Sequence, residues 1–223
     1  MICRLDLQAI DAALVEVEQA WPRIDADLQR LHIGRKDPFT AVLRTNMLSA
    51  WAYLDELLDA AIAPFAPGCF DHMLMLNNRV HYGTNVALMA EFSTAIASNA
   101  EKFDAQVDAL AAWHCKHANQ GDHPLKLAAE TYVSIVGEPQ LFIEGNHRTG
   151  SLIASWINLY AGYPPFVLSA DNAIDYFAPS AAIKQFANRS TWRGRQQLPK
   201  YRKSFRAFWE AHVDTRYVRA SPD

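Results

Sequence analysis

The chain is poor in the features that mark several protein classes. It has three cysteines, Cys3, Cys69 and Cys115, among 223 residues. An odd number without repeated spacing makes no disulfide framework, and a reducing, cytoplasmic setting fits better. Long apolar runs are also missing. The longest, "SLIASWINLYAGYPPFVL", is interrupted by Asn158, Gly162 and two prolines, too short and too broken to cross a bilayer. The N-terminal stretch carries Asp6, Asp11, Glu16 and Glu18 too early for a secretory signal. Positive charge is not in excess, since the formal net charge is −3. Nothing therefore favours nonspecific nucleic-acid binding. Internal repeats, low-complexity segments and sustained period-two alternation are lacking as well.

What remains is helical periodicity, and at 50% hydrophobic the chain can bury a core as one domain or one domain with an extension. Leu7, Ile10, Leu14 and Val17 form a first stripe, which Trp21-Pro22 should break. Leu43, Met47, Trp51, Leu54 and Leu58 form a second, ended by "APFAPG". "VALMAEFSTAIASNA" reads as a third helix and "EKFDAQVDALAAWHCKH" as a fourth. Asp122 is positioned to cap a fifth, from about His123 to Val136, with Gly137 as its left-handed terminator. A sixth starts near His147 and stops at "GYPP". The one strand candidate is "NNRVHYGTN", Asn77 to Asn85, as a short β-hairpin turning at Gly83. The fold class is all-α.

The turn between the fifth and sixth helices reads "LFIEGNHRTG", Leu141 to Gly150. Its last residues form the first turn of a helix, whose N–H groups lack intrahelical partners and carry the positive end of the dipole. Gly145 permits close approach of the backbone, and Arg148 adds a forked cation, which together suit phosphate. Glu144 is a hard oxygen ligand of the kind that shares Mg²⁺ with a nucleotide. The plainer alternative is a helix-capping loop with a surface Arg.

The longer stretch "HPLKLAAETYVSIVGEPQLFIEGNHRTGSLIASWINLYAGYPP" resembles the Fic (Fido) family, whose pattern is H-x-F-x-[D/E]-G-N-x-R-x-x-R. Phe142, Glu144, Gly145, Asn146 and Arg148 stand in register, as do His123-Pro124 and Ala129-Glu130. The resemblance implies a Fic-type helical core over residues 67–215, preceded by a helical extension over 1–66, with the hairpin as the target-docking flap. It also implies that Phe142 anchors a loop that binds ATP or another nucleotide. Gly145, Asn146, His147, Arg148, Thr149, Gly150 and Ser151 are then the ligand-binding stretch, and Glu144 the Mg²⁺ ligand. The implied reaction moves AMP or a related phosphate-linked group onto a Ser, Thr or Tyr hydroxyl of a protein. The implied partners are a nucleotide and a protein target or regulatory protein, with neither nucleic acid nor membrane.

Three positions depart from that pattern. The catalytic His position holds Gln140, whose amide accepts no proton at neutral pH. Loss of a positioned base typically lowers a rate by 10²–10⁴-fold, on the order of 3–5 kcal/mol. The last Arg position holds Ser151, and in the family that Arg usually holds an outer phosphate. The variable position holds His147, readable as a substitute base, a phosphate ligand or simply the first residue of a helix. Two readings follow: an impaired or atypical transferase, or an inactive pseudoenzyme that binds a nucleotide and acts through a partner.

Two further clusters invite function. His114, Cys115, His117 and His123 are metal-ligating types, but lack a second pair at ligand spacing, so a polar helix end is the alternative. "NRSTWRGRQQLPKYRKSF" holds six cations and no acid. It could recruit an acidic target or reach a ligand's phosphates, or be a solvated face paired with acids such as those of the first helix.

Overall fold

The computed structural model describes residues 2–34 and 38–219. Among them the helices are α1 (Leu7–Arg30), α2 (Ala41–Asp59), α3 (Phe70–Tyr82), α4 (Val86–Glu91), α5 (Ser93–Asn119), α6 (Pro124–Val136), α7 (Asn146–Tyr160), α8 (Ala173–Phe186) and α9 (Trp192–His212). The all-α expectation holds. α7 is the centre of the molecule. Every residue from Thr149 to Leu159 is buried, because α6 covers one side while α2 and α3 cover the others. α6 in turn packs on α5, α8 and α9, and α1 lies across α2 and α8.

Several expectations fail for local reasons. α1 continues through Pro22 to Arg30, since Pro22 faces solvent while Trp21, Ile24 and Leu28 keep the apolar stripe buried. Packing of that stripe outweighs the hydrogen bond that proline cannot make. The hairpin is absent. Residues 77–82 belong to α3, whose Met73, Leu76, Asn77 and Val80 make one buried face, and Gly83 ends the helix. The third and fourth helices are not two units split at Glu101: a short α4 is followed by one long α5. Asp122 does not cap α6. His123 does, with its ring Nδ1 accepting from Leu125 N at 3.3 Å, and Asp122 pairs with Lys126 and His117. Gly137 is extended rather than left-handed (φ −71°). It is glycine for another reason: a Cβ there would lie 2.8 Å from the Ala187 carbonyl oxygen.

The basic segment forms much of α9. Its cations do not meet the acids of α1, since Arg202 approaches Glu130 of α6 and Arg189 donates to the carbonyls of Ser134 and Pro139. Asp11 and Glu18 of α1 hold Arg44 of α2 instead.

A clasp joins residues distant in sequence. Leu5 and Val218 form a single antiparallel bridge, and Arg219 Nε donates to the Leu5 carbonyl at 2.7 Å. Beneath it, the buried Asp55 of α2 accepts from Leu5 N at 2.9 Å and from Arg4 Nε at 2.8 Å. Burial pushes the Asp55 carboxyl up, but Arg4, the Leu5 amide and Arg219 outweigh it and leave it below its ordinary value.

Candidate functional site

Residues 137–145 connect α6 to α7 and are fixed from inside the molecule. Phe142 is fully buried and stacks on Phe103 of α5, ring centres 5.3 Å apart. Its backbone is closed into a ring by Asn146: Phe142 N donates to Asn146 Oδ1 at 2.8 Å, and Asn146 Nδ2 returns a bond to Phe142 O at 2.9 Å. The Asn146 side chain thus faces the chain. What Asn146 offers a ligand is its backbone N–H at the start of α7. Lys102 and Gln106 of α5 donate to the carbonyls of Phe142 and Gln140.

Gly145 is left-handed (φ 75°) and lies against α3 so closely that a Cβ would sit 2.5 Å from His81 Nε2. Only glycine combines that dihedral with that approach. Gly145 thus leads straight into the first turn of α7, whose N–H groups lack intrahelical partners.

Outside this turn lies a cavity of about 890 Å³, within the range of small-molecule sites. Gln140, Glu144, Gly145, Asn146, His147, Arg148 and Ser151 all contribute to its wall, with α8 opposite through residues such as Tyr176, Ser180 and Phe186. Phe142, Thr149 and Gly150 are buried behind the wall. Their part is support: Thr149 accepts from Asn77, and Gly150 lets α7 close on Tyr132 and Ile135.

Two of the three departures from the motif are visible as contacts. Gln140 Nε2 donates to Val136 O at 3.2 Å, and Ser151 Oγ donates to Arg148 O at 2.8 Å. Neither supplies a base or a cation. His147 sits in a chain of hydroxyls. Tyr176 donates its one proton to the His147 carbonyl, and Tyr132 donates to Tyr176, each at 3.0 Å. Tyr132 also meets His147 Nδ1 at 3.0 Å and Ser180 Oγ at 2.8 Å, where the imidazole tautomer decides which atom donates to which. Tyr132 belongs to no part of the motif.

Mg²⁺ shared with a nucleotide asks the protein for one hard oxygen, and Glu144 presents an exposed carboxylate on the cavity wall. No group of three or more His, Cys, Asp or Glu side chains forms a metal cluster among the described residues. This donor set fits a cation held jointly with phosphates and not a cage made by protein alone. The histidines weighed as zinc ligands are otherwise engaged. His114 stacks on Phe65, where burial lowers its pKa to about 4, and His117 pairs with Asp122 at 2.8 Å.

No family model matches the chain, and no curated protein matches it in sequence. Among solved structures, it superposes on a Fic domain-containing signaling protein from Bacteroides thetaiotaomicron with a TM-score of 0.56. The match covers 92% of this chain and 84% of that one, at 14% identity. The chain has the Fic fold. In this chain the motif loop meets the N-terminus of α7 at the cavity just described. No helix among the described residues is long and apolar enough to cross a membrane.

Proposed function

We propose that the chain is a Fic-type transferase. It binds a nucleotide or related phosphate-linked donor together with Mg²⁺ and moves the phosphate-linked group to a Ser, Thr or Tyr hydroxyl of a protein. The observation that carries this reading is the placement of Arg148, Glu144 and the N-terminus of α7 on one wall of a single cavity. The dipole and the guanidinium favour phosphate there, and a cation shared by Glu144 and the donor would neutralise charge that develops as the phosphorus–oxygen bond breaks. In the transfer, the hydroxyl oxygen attacks phosphorus, the outer phosphate group leaves, and the hydroxyl proton must find an acceptor. Gln140 is not one. His147 lies on the same wall and carries an imidazole, the group type suited to that task, and transfer is slow relative to a site with a positioned histidine at 140.

The test is calorimetric titration with ATP and ADP, with Mg²⁺ and with EDTA. Arg148→Ala should weaken binding at least tenfold, and unchanged affinity would remove the phosphate-site reading. Glu144→Ala should weaken binding with Mg²⁺ and leave it unchanged in EDTA. Gln140 and Ser151 favour a second reading, a pseudoenzyme that binds a nucleotide and acts through a partner. That reading wins if wild type and Gln140→His both bind nucleotide yet label no protein with AMP, GMP, UMP or CMP donors.

A further inference from the structure

Two buried asparagines, Asn77 of α3 and Asn99 of α5, stand behind the motif loop and belong to no part of the motif. Asn77 Nδ2 donates to the Glu144 carbonyl at 3.1 Å and to Thr149 Oγ1 at 2.9 Å. Its Oδ1 accepts from Asn99 Nδ2 at 3.0 Å, and Asn99 Oδ1 accepts from Ile143 N at 2.8 Å. With both Asn77 amide hydrogens engaged, only one orientation of each amide satisfies all four bonds. The pair is therefore a directional relay: a reversed amide or an aspartate at 77 would set acceptor against acceptor. It grips Ile143 and Glu144 at the backbone and Thr149 in the first turn of α7. Glu144 itself is exposed, so its direction is set by that backbone and not by packing of its side chain.

We propose that Asn77 and Asn99 are positioning residues for the metal-and-phosphate wall. They fix the direction of the Glu144 carboxylate relative to the N-terminus of α7, and so determine how strongly Mg²⁺ promotes nucleotide binding. This rests on the nucleotide-binding reading above. A buried relay held by four bonds sets geometry more tightly than a solvent-exposed carboxylate can by itself.

The variants are Asn77→Leu, which keeps the branched shape and heavy-atom count and removes the bonds, Asn99→Ala, and the pair together. The first readout is the ratio of the ADP dissociation constant in EDTA to that in Mg²⁺. Each single variant should reduce this ratio at least fivefold while its thermal midpoint stays within a few degrees of wild type. The double variant should fall no further than the worse single, because one relay is broken once. A ratio unchanged in both singles overturns the proposal, as do additive losses. The second readout needs no ligand: hydrogen exchange of the 141–149 segment, which should accelerate in both singles while α6 keeps its protection. If wild type binds no ADP, the nucleotide reading fails, and exchange alone then decides whether the relay positions the loop. Unchanged exchange at 141–149 overturns it.

Discussion

At position 140 the side-chain amide donates to the Val136 carbonyl, and an amide has no lone pair basic enough to take a hydroxyl proton at neutral pH. The surrounding loop is intact, since Phe142 is anchored and Asn146 closes its ring. If the site transfers as proposed, a histidine at 140 should raise the rate without rebuilding the site. Gln140→His should raise labelling of a protein target by radiolabelled nucleotide at least tenfold, and no increase would point to His147 or to a deeper loss. A second residue-scale expectation concerns His114. Its pKa is lowered from the ordinary 6.5 to about 4 by burial, so the unfolded state binds the extra proton in the interval between. Stability should fall as pH drops from about 6.5 towards 4 and level off below, with a total on the order of 3 kcal/mol. His114→Phe, which retains a ring to stack on Phe65, should flatten that part of the curve in denaturant titrations; a curve of unchanged slope would assign the acid sensitivity elsewhere.

Among the elements, those with a narrow apolar stripe were legible in the sequence. α2, α6 and α7 lie close to their expected limits, because the large apolar residues of each recur at 3.6-residue spacing, even in α7 where small residues are buried on the other sides, and each has a clear stop. Asn77 was misread because "NNRVHYG" looks polar and turn-like, whereas its amide is satisfied inside the bundle by Thr149 and Glu144. α8 was not read at all. Its Pro179 and its apolar residues spread around the axis give no stripe, since it is covered by α1, α6 and α9 at once. The motif loop was legible because it is contiguous. Its supports were not, being single polar residues on separate helices. A signal for one of them did exist: Asn99, Phe103 and Gln106 share one face of α5, and a polar residue within such a stripe implies an internal partner. The glycine between α6 and the loop offers a test at this scale. Gly137→Ala would push a methyl against the backbone of Ala187 and Val133. We expect a loss of about 1–3 kcal/mol in chemical denaturation, whereas a neutral effect would show that α8 can retreat from the end of α6.

For the molecule as a whole, α7 is the shared wall: α6, α2 and α3 all pack on it, and the cavity opens at its N-terminus. A ligand at that point can report on packing throughout the bundle, so nucleotide binding should raise the thermal midpoint of the whole chain in one transition. The clasp of Leu5, Val218 and Arg219 over Asp55 bears on a different property, the order of assembly. The Arg219–Leu5 hydrogen bond spans 214 positions, and closing so long a loop in an otherwise disordered chain costs about 5 kcal/mol. Such a contact cannot nucleate folding. We expect it to close after the helices have brought α2 and α9 into place, with its bonds absent from the transition state. Asp55→Asn, which weakens the grip on Arg4 and Arg219, should cost roughly 2 kcal/mol. Nearly all of that loss should appear as faster unfolding, with the refolding rate in stopped-flow measurements unchanged. The clasp is then a latch on lifetime: it governs how long the folded molecule persists and leaves untouched how quickly it forms.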